Sequence, residues 1–288
     1  METPEESRKK ILVFLVITAI SSLALAFPLI LRQKADLTAG LLTVAVMWCP
    51  GIATLLTRFR FQRNQYGMGW SFGKPKYLII SFALPLLYTL LTYAVIWTTG
   101  LGRFPNHAFL VDIAQRFGLS ALPLGWIAAL FVLAVLIVGT PLSIAAALGE
   151  EIGWRGFLVP ELAKRFSFLT TSLISGGLWA VWHYPLILWG ENREGTPVCY
   201  RLLCFTVMVL SLSVAFTWLR LRSGSLWTGV LLHAGDNLFI LAIFTPLTAD
   251  TGITRYIIGE FGAGLALASL LVAWVFWRQR AAVEINHV

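Results

Sequence analysis

The chain has 288 residues, of which 58% are hydrophobic and only 12% charged, with twelve tryptophans and a formal net charge of +8. Soluble domains carry about twice that charge, so the composition excludes a soluble globular fold. It points to a single integral membrane domain over residues 1–288, an all-α polytopic bundle of about eight transmembrane helices of roughly 20 residues each. No basic run alternates with exposed aromatics, which argues against nucleic acid as a partner; the basic excess fits lysine and arginine in loops beside a lipid bilayer.

In chain order, a polar start ending in Arg8-Lys9-Lys10 leads into an apolar run, Ile11 to Leu31. Ala24-Leu25-Ala26 within it resembles a signal-peptidase site, but the run is long and continues past it, so a retained first span is expected. The second span is expected over 38–57, with a kink at Pro50-Gly51, and the third over 77–98. Between them, 58–76 forms a basic loop whose Phe59, Phe61, Tyr66 and Trp70 suit the headgroup region. The loop 99–119 is expected to hold a short interfacial helix. The fourth span starts near 122 and runs into a Glu-Glu pair, with Pro141 placed to bend it. An amphipathic exit over 156–168 should present Glu161, Lys164 and Arg165 on a polar face. Spans five to eight follow at 169–189, 200–219, 225–247 and 256–277. Cys49, Cys199 and Cys204 have no metal-finger spacing and read as unlinked thiols.

Charge then orients the bundle. Placing the N-terminus, loop 58–76, the region after Glu150, loop 220–224 and the tail on one side collects 15 of the 22 basic residues. That excess makes this side cytoplasmic, with both termini inside, in the plasma membrane of a bacterium or archaeon.

Ionisable groups at membrane depth are costly and are kept where they pair, face a wet cavity or do chemistry. The motif-bearing core, about 122–247, holds nearly all of those in this chain. In Gly149-Glu150-Glu151-Ile152-Gly153-Trp154-Arg155-Gly156, Glu151 and Arg155 stand i, i+4 and can pair on one helix face. Glu150 points about 100° away and is read as the free carboxylate. Gly149, Gly153 and Gly156 make a stripe that lets another helix approach. Of four histidines, His107 and His287 are expected to be solvated, whereas His183 and His233 fall inside spans. Asn237 follows His233 by four residues, so the two share a face and can offer donors to one oxygen, as in an oxyanion hole. Glu150 with His183 can polarise a water as general base. No serine or cysteine nucleophile elbow is present.

Glu150-Glu151-xxx-Arg155, Trp179-xxx-His183 and His233-xxx-Asn237, in that order on separate spans, resemble the CAAX-protease and bacteriocin-processing family, whose patterns are EExxxR, FxxxH and HxxxN. These are intramembrane endopeptidases related to type II prenyl-protein proteases. The resemblance implies that Glu150 and His183 activate water, that His233 and Asn237 hold the oxyanion, and that Arg155 fixes Glu151. The substrate would be a peptide or protein reaching the site from the membrane or the cytoplasmic face: a prenylated CAAX protein, a bacteriocin leader, a signalling peptide or a membrane-protein tail. The family leaves metal dependence open. No cofactor is favoured here, although Glu150, His183 and His233 are three potential ligands for zinc. Trp179, where the family pattern has Phe, is expected to change only packing beside His183, and Asp236 has no evident partner. The competing readings are a proton-coupled transporter relaying through Glu150, His183, His233 and Asp236, against which no inverted repeat is visible, and a non-catalytic scaffold. One tension concerns depth. His183 and His233 lie about 21 and 12 Å into their spans, while Glu150 stands near the end of the fourth, so either that span runs further or the helices are tilted for the three to come level.

Overall fold

A computed structural model describes residues 4–32, 36–61, 67–190 and 195–284. His287, Arg63, Tyr66 and most of the expected polar loop after Gly190 lie outside these. The described residues form helices α1 (Pro4–Arg32), α2 (Leu37–Phe61), α3 (Pro75–Thr98), α4 (His107–Arg116), α5 (Leu124–Ala134), α6 (Thr140–Glu151), α7 (Val159–Ala163), α8 (Phe168–Trp189), α9 (Val198–Ser223), α10 (Trp227–Asp236), α11 (Ala263–Arg278) and α12 (Ala281–Glu284). The protein is an all-α polytopic bundle, and among the described residues there is no strand. The expected short helix in loop 99–119 is α4, capped by the Asn106 side chain, which accepts from the Phe109 amide.

Among the described residues, six helical stretches are long and apolar enough to cross a membrane, where about eight were expected. The expected fifth span, α8, has the length, but its Trp, His, Tyr, Ser and Thr side chains dilute its hydropathy. The expected eighth, α11, is a 16-residue apolar helix.

The fourth span is one continuous helical stretch, Leu124–Ala163, of 40 residues. Glu150 thus stands thirteen residues before its end, about 20 Å of rise, close to the depth expected for His183. Two π-helical segments interrupt it, Val135–Gly139 and Ile152–Leu158, and a third, Asn237–Phe244, continues α10. Each ends two residues before a proline: Pro141, Pro160 and Pro246. A proline lacks the amide its helix position needs, and its ring crowds the carbonyl four residues back; widening the preceding turn relieves both problems. Proline alone is not sufficient, because Pro28, Pro50, Pro85 and Pro185 sit inside regular α-helices.

The two halves of this stretch differ. From 124 to 146 only Ile127 is buried, whereas 149–159 is buried without a break. The glycine stripe explains how the second half enters the bundle. A Cβ on Gly149 would stand 2.7 Å from the Trp48 ring, one on Gly153 would stand 2.5 Å from Pro50, and one on Gly51 would stand 2.7 Å from the Gly149 carbonyl oxygen. α2 therefore crosses the Glu-Glu segment in backbone contact at Pro50-Gly51, where a kink was expected but the helix is regular. Gly156 does not share in the crossing; its nearest neighbour, Met68 Cε, would be 3.4 Å away, because the π turn rotates it off the stripe.

Several expected surface charges are interior, and two of them tie elements together. Glu161 is buried and accepts from Ser7 Oγ at 3.1 Å and Lys164 Nζ at 2.7 Å, tying α7 to α1. Arg220, read as a loop residue, is buried at the end of α9. Its Nε donates to the Arg155 carbonyl at 2.8 Å and its Nη2 to the Gly67 carbonyl at 2.7 Å.

Candidate active site

The three motifs converge on Trp179. Its indole Nε1 donates to Glu150 Oε2 at 2.8 Å, and its carbonyl oxygen lies 2.9 Å from His183 Nδ1. The ring packs edge-on to His183 and His233 at centroid distances of 5.8 and 5.3 Å. The Arg155 guanidinium lies 4.2 Å from the Trp179 ring centre and 3.8 Å from that of Phe216. Glu150 and His233 are buried, while His183 and Asn237 are half-buried. The expectation that tryptophan in place of phenylalanine alters only packing is thus overturned, as is the reading of Glu150 as a carboxylate without a partner. A buried indole N–H needs an acceptor, and the carboxylate one helix away supplies it.

The Glu151–Arg155 pair forms as the spacing implied, with Arg155 Nη1 donating to Glu151 Oε1 at 2.8 Å. Both side chains are sealed from solvent. The guanidinium makes no other hydrogen bond among the described residues; its Nε and Nη2 are enclosed by the aromatic rings. The same carboxylate oxygen also meets His233 Nδ1 at 3.0 Å. Glu151 is therefore more than an arginine's counter-ion, since it orients a histidine as well. Gly229 on α10 makes this possible: a Cβ there would come within 2.7 Å of Glu151 Oε2. Ser143 Oγ, donating to the Ala234 carbonyl at 3.1 Å, ties α6 to α10 one residue from His233.

The partners set the ring tautomers. A carbonyl only accepts, so His183 carries its proton on Nδ1 and leaves Nε2 as an acceptor. His233 likewise donates from Nδ1 to the Glu151 carboxylate, leaving Nε2 for other partners. Asn237 opens the third π segment, four residues after His233, and its side chain makes no hydrogen bond among the described residues. Asp236 gains the partner the sequence did not name: Tyr88 Oη on α3 donates to its Oδ1.

Histidines with Nδ1 engaged and Nε2 unengaged are suited to ligate metal. Among the described residues, however, no three His, Cys, Asp or Glu side chains converge on a metal-sized cluster.

An apolar groove of about 310 Å³ lies between α1, α2 and α8, lined by Leu15, Ala19, Val46, Trp154, Trp182 and Leu186. Trp182 joins it to the site by packing edge-on against His183 at 4.7 Å.

Two comparisons bear on this arrangement. Residues 125–239, which hold all three motifs, match the family of type II CAAX prenyl endopeptidases described as Rce1-like. CAAX prenyl protease 2 of Methanococcus maripaludis is 28% identical over 138 residues, 46% of this chain and 48% of that protein. The chain thus spans about half the length of the curated relative it matches. Over this segment the resemblance to the CAAX-protease and bacteriocin-processing family is borne out.

Proposed function

We propose that the chain is an intramembrane endopeptidase that hydrolyses a peptide bond with a water activated by Glu150 and His183. The observation that carries the reading is the meeting of Glu150, His183 and His233, from three separate motifs, around one tryptophan. Glu150 takes a proton from the water as its oxygen bonds to the substrate carbonyl carbon. The C–N bond then breaks, and the proton passes from Glu150 to the leaving amine. His183 Nε2 accepts from the same water and orients it. The developing oxyanion receives the Asn237 amide and His233 Nε2–H. Because Nδ1 of His233 already donates to Glu151, its Nε2 donates only in the doubly protonated ring, and the Glu151 carboxylate lies against that charge. No step is routed through a metal.

The substrate we favour is a prenylated protein of CAAX type, as the relative's name says of that protein; the apolar groove beside His183 suits a hydrocarbon chain. A leader peptide of the bacteriocin type is the alternative. Both termini are assigned to the cytoplasm from the basic-residue excess, which reporter fusions at residues 70 and 288 test: a non-cytoplasmic signal at either overturns the orientation. The activity is tested with purified protein in detergent and internally quenched peptides, one ending in a farnesylated CAAX sequence, one unprenylated and one of leader type. Cleavage of at least one by wild type and none by Glu150→Gln is expected. Equal cleavage by both proteins would contradict the reading. Dialysis against a strong chelator should leave the rate unchanged; loss restored by zinc would make His233 a ligand instead of an oxyanion donor.

A further inference from the structure

We propose that Trp179 is the positioning residue of the catalytic base: its indole N–H fixes the Glu150 carboxylate while its backbone carbonyl sets the tautomer of His183. The inference rests on the peptidase reading of the same site. Two members of the water-activating pair come from different helices, Glu150 from the long fourth stretch and His183 from α8. Nothing in the chain's connectivity keeps them in register. Trp179 touches both, by the 2.8 Å bond to Glu150 Oε2 and the 2.9 Å contact to His183 Nδ1.

The chemistry suits this role. Indole is a donor only, so it can hold one carboxylate oxygen without competing for the proton the base must take. The other oxygen, Oε1, has no hydrogen bond among the described residues, which leaves it for the water in the mechanism we propose. The indole itself cannot turn. It is 5% exposed, packs edge-on to Phe216 at 5.4 Å, and carries the Arg155 guanidinium on its face. Arg155 is in turn held by Glu151. Base, histidines and structural ion pair therefore share one rigid side chain. Phenylalanine, which the family pattern has at this position, would preserve the ring contacts but has nothing to donate to Glu150.

The test separates contact from catalysis. Protein labelled with 15N at the tryptophan indoles is placed in detergent, and the Trp179 signal is identified by its loss in Trp179→Phe. Glu150→Gln should move that signal upfield, because a charged acceptor becomes a neutral one. In the peptide assay, Trp179→Phe should lower kcat about 10- to 100-fold, the range for losing a bond to a charged partner, with KM and Tm close to wild type. Replacing Trp179 with 3-benzothienylalanine, which keeps the bicyclic shape without a donor, should give the same loss. A purely packing role predicts near-wild-type kcat for the benzothienyl protein. An indole signal unmoved by Glu150→Gln, or kcat retained in both donor-free proteins, overturns the proposal. If the signal moves but Glu150→Gln still cleaves at the wild-type rate, the assignment of Glu150 as base has failed, and the positioning role falls with it.

Discussion

Glu150 and Glu151 are adjacent in sequence, equally buried and each linked to a histidine, yet they are held in opposite ways. Glu150 has a neutral donor, the Trp179 indole, and its associated histidine, His183, is tied to a backbone carbonyl. Glu151 is bound by a charge, Arg155, and bonds directly to His233. The difference fits the roles we propose. Glu151 is bonded to a cation and an imidazole through one oxygen, and in the role we propose it holds a positive ring where an oxyanion forms. Each carboxylate keeps one oxygen without a hydrogen bond among the described residues, but Glu151 Oε2 is sealed against α10 at Gly229, so we assign the proton transfer to Glu150. His183 has its Nδ1–H spent on a backbone carbonyl, which leaves Nε2 for the water in the mechanism we propose, whereas the Glu151 carboxylate lies directly against the His233 ring.

The comparison is broken most severely at Arg155. Arg155→Met keeps much of the side-chain volume but leaves Glu151 buried without its cation, a loss of about 3–5 kcal/mol when one partner of a buried pair is removed. Thermal unfolding in detergent should show a large fall in Tm; stability equal to wild type would mean that the Trp179 and Phe216 rings, not the charge, hold the segment. Asn237→Ala should next cost about 100- to 1000-fold in kcat, as for an oxyanion donor, with KM and Tm little changed; an unchanged kcat would remove Asn237 from the site. The smallest effect is expected at Tyr88→Phe, which takes the hydroxyl donor from Asp236. Asp236 belongs to neither arm, so stability should fall by about 1–2 kcal/mol while kcat holds. A large loss of kcat there would extend the site to Asp236.

Much of this arrangement was legible in the sequence. The Glu151–Arg155 pair followed from i, i+4 spacing, and a close approach at Gly149 and Gly153 from the glycine stripe, although which helix makes it did not. What was not legible depends on neighbours distant in the chain. Glu161 reads as solvated until Ser7 of α1 is brought against it, and Arg220 reads as a loop residue until the Gly67 and Arg155 carbonyls close around it. The second contact of Glu151, to His233, is 82 residues away. Trp179 did carry a signal. A tryptophan where the pattern has phenylalanine, four residues before a candidate catalytic histidine, adds one buried N–H that must find an acceptor. That requirement could have pointed to Glu150. The π segments were only half legible: Pro141 indicated a disturbance, but nothing distinguished it from Pro85 or Pro185, which leave their helices regular.

The division of labour between the neighbouring carboxylates is tested most directly by placing Glu150→Gln and Glu151→Gln side by side, with cleavage of the same quenched peptide and Tm measured on each. Glu150→Gln should keep the wild-type Tm and lose about 100- to 10,000-fold in kcat, the range for a general base. Glu151→Gln should lose Tm markedly, because Arg155 and His233 both face an amide in place of a charge. The reverse pattern, a stable but inactive Glu151→Gln beside an unstable but active Glu150→Gln, would contradict the account.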